Sequence, residues 1–260
     1  MPFDLLAQYL KLPVFALVAA RVAGLLMFQP LLGALSVPMH LRLMLVLALA
    51  ALLTPVVALP PDAPATPVEL LGALGVELLL GILIGLASAL LFIGLQLGGL
   101  LVAQETGIAF AQIVDPTFEE QETIVGVFYL QFAAVVYLIV GGHRALVSAC
   151  LDTFELVPLL AYFPGTAAGG DLLCGALLLS AEVALRVAAP TLLVLFLANV
   201  ALAFVSRTMP QLNILAVGFP LKGLLALLLM AVSLPTATDA FLSGLQQVYV
   251  WISDLTEACG

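Results

Sequence analysis

The sequence predicts an all-α protein of the integral-membrane type, built from helical hairpins with long kinked helices. Three observations carry this. Hydrophobic residues make up 64% of the 260 positions and charged residues 9%, whereas a soluble domain holds about 45–50% apolar and about 25% charged residues. The apolar residues form continuous Leu- and Ala-rich runs rather than alternating ones, which disfavours strands. The runs reach the length at which a helix crosses hydrocarbon, roughly 20 residues.

The elements follow in order. Met1 to Lys11 carries Asp4 and Lys11 with no small-residue cleavage site after it. The first apolar run, Leu12 to Gly33, is therefore expected to be an uncleaved span, interrupted by Arg21. A connector with Pro38 and His40 leads to the second run, Leu43 to Leu59, entered through Arg42 and closed by Pro55. Pro60, Pro61, Pro64 and Pro67 then make a stiff turn. The third run, Val68 to Ala103, would reach roughly 54 Å as a straight helix, so it either projects beyond a bilayer or bends. Gly94, Gly98 and Gly99 mark where it bends or packs tightly. Gly81-x-x-x-Gly85 and Gly94-x-x-x-Gly98 are weak small-residue contact patterns.

The stretch Gln104 to Glu122 breaks the apolar pattern. It holds Glu105, Asp115, Glu119, Glu120 and Glu122 and no Lys or Arg, yet its middle, Ile108 to Val114, is apolar with Phe110 at the centre. Asp115-Pro116 ends any helix there. This is a polar-flanked loop with an apolar tip, expected to pack against something.

The fourth run, Ile124 to Val140, is followed by Gly141-Gly142-His143-Arg144 and an apolar continuation to Cys150. A mixed connector, Leu151 to Asp171, leads to a fifth, overlong run, Leu172 to Val205, in which Pro190 is expected to kink the helix. After Ser206 to Pro220 comes Leu221 to Leu234, which Pro235 is expected to stop. The tail reads as a separate amphipathic helix capped by Thr238 or Asp239, with Phe241, Leu245, Val248, Tyr249, Ile252 and Leu255 on one face. It lacks Lys and Arg, so a protein groove suits it better than anionic lipid. The chain thus reads as one domain, 1–260. Hairpins 12–59 and 68–150 surround the central loop 104–122, kinked helices cover 172–234, and an amphipathic helix covers 236–260.

The net charge of −9 disfavours nucleic-acid binding, which needs clustered cations. The 7 Lys and Arg show no one-sided bias between spans. Cys150 and Cys174 are expected to pack rather than react. His40 and His143 lack companion metal ligands, and no catalytic or phosphate-binding motif is present, so an enzyme is disfavoured and no catalytic, cofactor or metal residues are assigned.

Four charges lie within apolar runs. Glu182 and Arg186 stand at i and i+4, acid first, the favourable order for a pair. A structural ion pair, within the chain or toward a neighbouring subunit, ranks ahead of a relay. Arg21 and Glu77 either pair across helices or face a partner or a water-filled path. Pro210, Gln211 and Asn213, with Pro220 and Lys222, are expected to form a buried, packed crossover.

Several local sequences, in this order, resemble the R-type subunits of the type III secretion export gate, the FliR family with its T-type injectisome counterparts. They are Ala20-Arg21-Val22-Ala23-Gly24, Ser36-Val37-Pro38 with Arg42, Gly107-Ile108-Ala109-Phe110-Ala111 with Val114-Asp115-Pro116 and Gln121, Pro210-Gln211-Leu212-Asn213, and Gly218-Phe219-Pro220-Leu221-Lys222. Order, spacing and length agree over nearly the whole chain.

The resemblance implies a single-copy subunit in a helical assembly with P-type and Q-type subunits, and with the B-type switch subunit as a further partner. Such a gate sits in the bacterial inner membrane at a flagellar basal body or injectisome base and passes unfolded export substrates. It also implies that the central loop plugs the pore, with Ile108, Phe110, Ile113, Val114 and Asp115 as plug residues and Phe110 leading. Two other classes compete with this reading. One is a secondary transporter of a small solute using Arg21, Glu77, Glu182 and Arg186; the other is a membrane scaffold with no pore role.

Overall fold

The structure, a computed structural model, describes residues 12–29, 37–57, 67–107, 123–157, 159, 165–209, 211 and 214–259. Among these residues there are helices and no strands. In chain order the helices are α1 (Leu12–Met27), α2 (Met39–Leu53), α3 (Pro67–Thr106), α4 (Ile124–Val140), α5 (Gly142–Leu156), α6 (Gly165–Thr208) and α7 (Ile214–Cys259). The molecule is all-α and of membrane type. Three of its helices are long and apolar enough to cross a membrane, or four if α4 and α5 count as one broken span.

Local chemistry sets the boundaries. Pro38, in extended backbone, precedes α2, and its carbonyl accepts from the Leu41 and Arg42 amides. Thr54 closes that helix by donating its hydroxyl to the Ala50 carbonyl at 2.6 Å, just ahead of Pro55. Pro67 opens α3, where its missing N–H costs nothing, and Glu69 lies in the first turn. The Thr123 hydroxyl accepts from the Gly126 amide at 3.1 Å and so caps the start of α4. Between α4 and α5 the chain turns by 67°, and Gly141 takes φ +76° there, a conformation glycine adopts without steric cost.

Two expectations are corrected, the length of the connector after Cys150 and the stop at Pro235. α5 continues to Leu156 and α6 begins at Gly165, so the connector after Cys150 is shorter than Leu151 to Asp171. Pro190, where a kink is expected, lies within α6. Pro235 does not stop its run: α7 passes through both Pro220 and Pro235, and no new helix starts at Thr238 or Asp239. Where water is scarce, ending a helix leaves more unpaired backbone groups than a single proline does, so the helix continues. The Thr238 hydroxyl instead donates back to the Leu234 carbonyl at 2.9 Å.

The contacts cluster in two compact units, residues 1–90, 137–177 and 245–260 in one, 91–136 and 178–244 in the other. In the first, α1 packs on α2 and on the first half of α3. A Cβ on Gly24 would strike the Leu78 carbonyl, one on Gly81 the Arg21 carbonyl, and one on Gly85 would lie 2.6 Å from the Leu25 carbonyl. The two backbones touch because these positions have no side chain. Tyr249 of α7 donates to the Gly142 carbonyl at 2.9 Å, which ties the end of α7 to the start of α5.

The second unit repeats the device. A Cβ on Gly94 would lie 2.5 Å from the Ser180 carbonyl of α6, and one on Gly99 2.8 Å from Gly126 of α4. Phe92 and Phe241 meet edge to face at 5.0 Å, and Tyr129 shares a buried 3.2 Å hydrogen bond with Ser233. The glycine patterns that read as weak are contact surfaces along α3.

The tail's apolar face is real. Phe241, Leu245, Val248 and Ile252 are buried within the chain while Gln246, Gln247, Ser253 and Asp254 are exposed, and the Leu255 side chain lies outside the description. Cys150 is buried as expected; Cys174 is exposed, against expectation.

Candidate functional site

Two sets of residues carry the functional argument, one in each unit. The first is centred on Arg21. It sits mid-helix in α1 and is fully buried, in a setting where an unpaired charge would cost several kcal/mol at least. The fold engages all three of its guanidinium nitrogens. Its Nε donates to the Glu77 carboxylate at 2.6 Å. Its Nη1 donates to the Thr153 carbonyl at 2.9 Å, and both Nη atoms reach the Val157 carbonyl at 3.3 Å. Its guanidinium carbon lies 4.2 Å from the centre of the Phe154 ring. These carbonyls end α5, where a cation also suits the negative end of the helix dipole. One side chain therefore binds α1, α3 and the end of α5.

The second set surrounds the point where α3 gives way to the central loop. The helix ends at Gly107, whose φ of +80° turns the chain out of the helical path. Glu105, two residues earlier, accepts a 3.4 Å hydrogen bond from Asn199 Nδ2 of α6. A Cβ on Gly107 would run into the ring of Phe219 on α7, with Cδ1 at 2.8 Å. Phe219 also lines a cleft of about 250 Å³ shared with Asn199, Leu202, Ser206, Gly218 and Lys222.

Sequence reading expected several further site residues. Arg21 and Glu77 do pair across helices. Glu182 and Arg186 pair within α6 at 2.5 Å, both about half exposed. Ile108, Phe110, Ile113, Val114 and Asp115 lie outside the described residues, as do Pro210 and Asn213. The buried crossover needs correction: Gln211 and Pro220 are exposed, and Pro220 and half-buried Lys222 belong to α7 rather than to a connector, because the helix already starts at Ile214.

Sequence reading missed Thr153, Phe154, Val157, Asn199 and Phe219 as partners. Carbonyl acceptors leave no trace in side-chain identity. Phe219 was visible only as part of a longer motif. Among the described residues no group of three or more His, Cys, Asp or Glu is placed to hold a metal ion.

Long apolar helices joined backbone to backbone, with a self-contained ionic core, define an all-helical membrane-type protein with no assembled catalytic centre among the described residues. The family model for bacterial export proteins, family 1, matches residues 12–248, and the chain belongs to that family. The flagellar biosynthetic protein FliR of Caulobacter vibrioides is 30% identical over 222 residues, which cover 85% of this chain and 88% of that protein. FliR of Bacillus subtilis is 28% identical over 212 residues, 81% and 82% of the two chains. The Yop proteins translocation protein T of Yersinia pestis is 29% identical over 193 residues, 74% of each.

Proposed function

We propose that this chain is a non-enzymatic subunit of a type III protein export gate, with the flagellar system the first choice. The observation that carries this is the family match over residues 12–248. The flagellar system is favoured because the Caulobacter FliR alignment covers 85% of the chain and the Yersinia one 74%. In this reading the chain acts as one subunit over 1–260, beside P-type, Q-type and B-type partners in the bacterial inner membrane, and helps form the closed pore for unfolded substrates. Residues 107–115 are the plug, with Phe110 leading.

The physical mechanism is that of a dewetted constriction: an apolar tip excludes water and so excludes ions. Opening requires a substrate or partner that binds the open state more tightly than the closed one. The end of α3 at Gly107 and the start of α4 after Thr123 support this, because the two helices that flank the loop meet backbone to backbone at Gly99 and Gly126. The transporter reading loses support, because all three guanidinium nitrogens of Arg21 are engaged inside the fold and none is left for a solute. Deleting Ile108 to Val114 in the assembled gate should leave assembly intact and raise ion leak; unchanged membrane conductance would sink the plug assignment.

A further inference from the structure

We propose that the cleft beside Lys222, between the end of α6 and the start of α7, holds the headgroup of an anionic phospholipid of the phosphatidylglycerol type, a phosphate with hydroxyls next to it. The proposal stands on α6 and α7 as membrane helices, and its failure would leave the export-gate reading untouched.

Three observations within the second unit converge. The first is a charge without a counter-charge. Lys222 is half-buried on α7 and lines the cleft of about 250 Å³. Among the described residues it has no ion-pair partner. An ammonium set between apolar helices is costly unless an anion meets it.

The second is the polarity of the other lining atoms. Asn199 gives its Nδ2 to the Glu105 carboxylate at 3.4 Å, which leaves its Oδ1 as an acceptor. Ser206 gives its hydroxyl hydrogen to the Ala203 carbonyl at 2.6 Å, which leaves its oxygen as an acceptor too. The cleft thus offers one cation and two acceptors. A bare anion answers only the cation, and Glu105 beside Asn199 disfavours an ion of higher charge. A phosphate with neighbouring hydroxyls answers both kinds of group. Choline carries no donor and leaves the acceptors unmet.

The third is the level at which the cleft lies. Between Arg186 and Arg207, α6 has a charge-free stretch of 20 residues, Val187 to Ser206. That is about 30 Å of helix, the thickness of a hydrocarbon core. Arg207, exposed in the last turn of α6, then stands at headgroup level. Lys222 comes to the same end on the helix that returns beside it: a Cβ on Gly218 would lie 3.3 Å from the Leu202 side chain. Exposed Phe204 on α6 and exposed Leu221, Leu224 and Leu228 on α7 provide apolar surface for acyl chains. A basic pocket between helices at a membrane edge is a setting that binds lipid headgroups.

The test uses the full chain, extracted in detergent with any subunits that co-purify, and counts bound lipid by native mass spectrometry. Phosphatidylglycerol, phosphatidylcholine and inorganic phosphate are titrated separately. Phosphatidylglycerol should bind at about fivefold lower concentration than phosphatidylcholine, and Lys222→Gln should weaken it about fivefold, the effect of one cation near anionic lipid. Lys222→Arg should bind as the native chain does. Equal binding of the two lipids, or native binding by Lys222→Gln, would overturn the proposal. Displacement of the lipid by millimolar phosphate would make this a site for the free ion and overturn it as well.

If Lys222→Gln fails to fold, the native protein decides the matter. Lys11 and Lys222 are the chain's two lysines, so acetylation in vesicles reads position 222 with Lys11 as reference. Protection of Lys222 in phosphatidylglycerol but not in phosphatidylcholine supports the site. Equal labelling, or a carbodiimide cross-link from Lys222 to a carboxylate of a co-purified subunit in phosphatidylglycerol, overturns it.

Discussion

Two ion pairs among the described residues are opposites. Arg21 and Glu77 come from helices 56 positions apart in sequence and are removed from solvent, with side-chain exposures of 0% and 3%. Glu182 and Arg186 are one turn apart on the same helix, with exposures of 53% and 54%. The first pair is fixed by tertiary structure and satisfied by backbone carbonyls. The second lies within one helical turn, at the spacing that favours such pairs in any α-helix, and joins no second element among the described residues. Buried pairs of the first kind are costly to break because removal of one partner strands a charge, whereas exposed pairs contribute little. The buried pair therefore belongs to the folding of the chain. The exposed pair lies on α6 among exposed Leu178, Leu185 and Leu193.

This contrast can be broken at its strongest point. Arg21→Ala should destabilise the detergent-extracted chain by about 3–5 kcal/mol, read as a fall in its thermal or denaturant midpoint. Arg21→Met with Glu77→Met should recover most of the loss. If the double variant is as unstable as the single one, charge burial is not the source of the cost.

Next in size, the helices that carry the buried pair can be forced apart. Gly81→Ala puts a Cβ into the Arg21 and Leu25 backbone and should cost about 1–3 kcal/mol. Gly72→Ala, in the same helix with nothing within 4 Å of the new Cβ, should instead gain about 0.5–1 kcal/mol. Equal effects at the two sites would mean that α1 and α3 do not meet backbone to backbone.

Tyr129→Phe tests an uncharged buried contact for scale. Loss of its hydrogen bond to Ser233 should cost about 1 kcal/mol, measured in the same unfolding assay. At the small end, Glu182→Gln should change the isolated chain by only about 0.3–0.5 kcal/mol. In the assembled complex, charge reversal at Arg186 alone should impair co-purification of partner subunits more than reversal of both residues. Equal impairment would argue against a pair within the chain.

The sequence made most of the helical framework legible because long Leu/Ala runs admit few alternatives. It misjudged continuity at Pro235, where proline's local cost was weighed without the larger cost of ending a helix away from water. It placed Arg21 and Glu77 as lone charges that pair or face outward; the choice depended on Thr153 and Val157 offering carbonyls, which no side-chain pattern encodes. Glu182 and Arg186 were legible because their contact is local. The packing at the end of α3 was not, since Asn199 reaches Glu105 and Phe219 reaches Gly107 from more than ninety positions away.

Share of burial repeats the lesson on a larger scale. In the most apolar window of α3, 61% of residues are buried within the chain, against 22% in α6 and in α7. Most of α3's apolar window is covered by the chain itself, while α6 and α7 leave most of theirs exposed, on apolar faces suited to lipid or other subunits.

The most direct test of the account is therefore co-expression with P-type and Q-type export-gate subunits, detergent extraction and native mass spectrometry. The account predicts a stable mixed complex containing one copy of this chain. A chain that purifies as a stable monomer or dimer and leaves those subunits behind would contradict it.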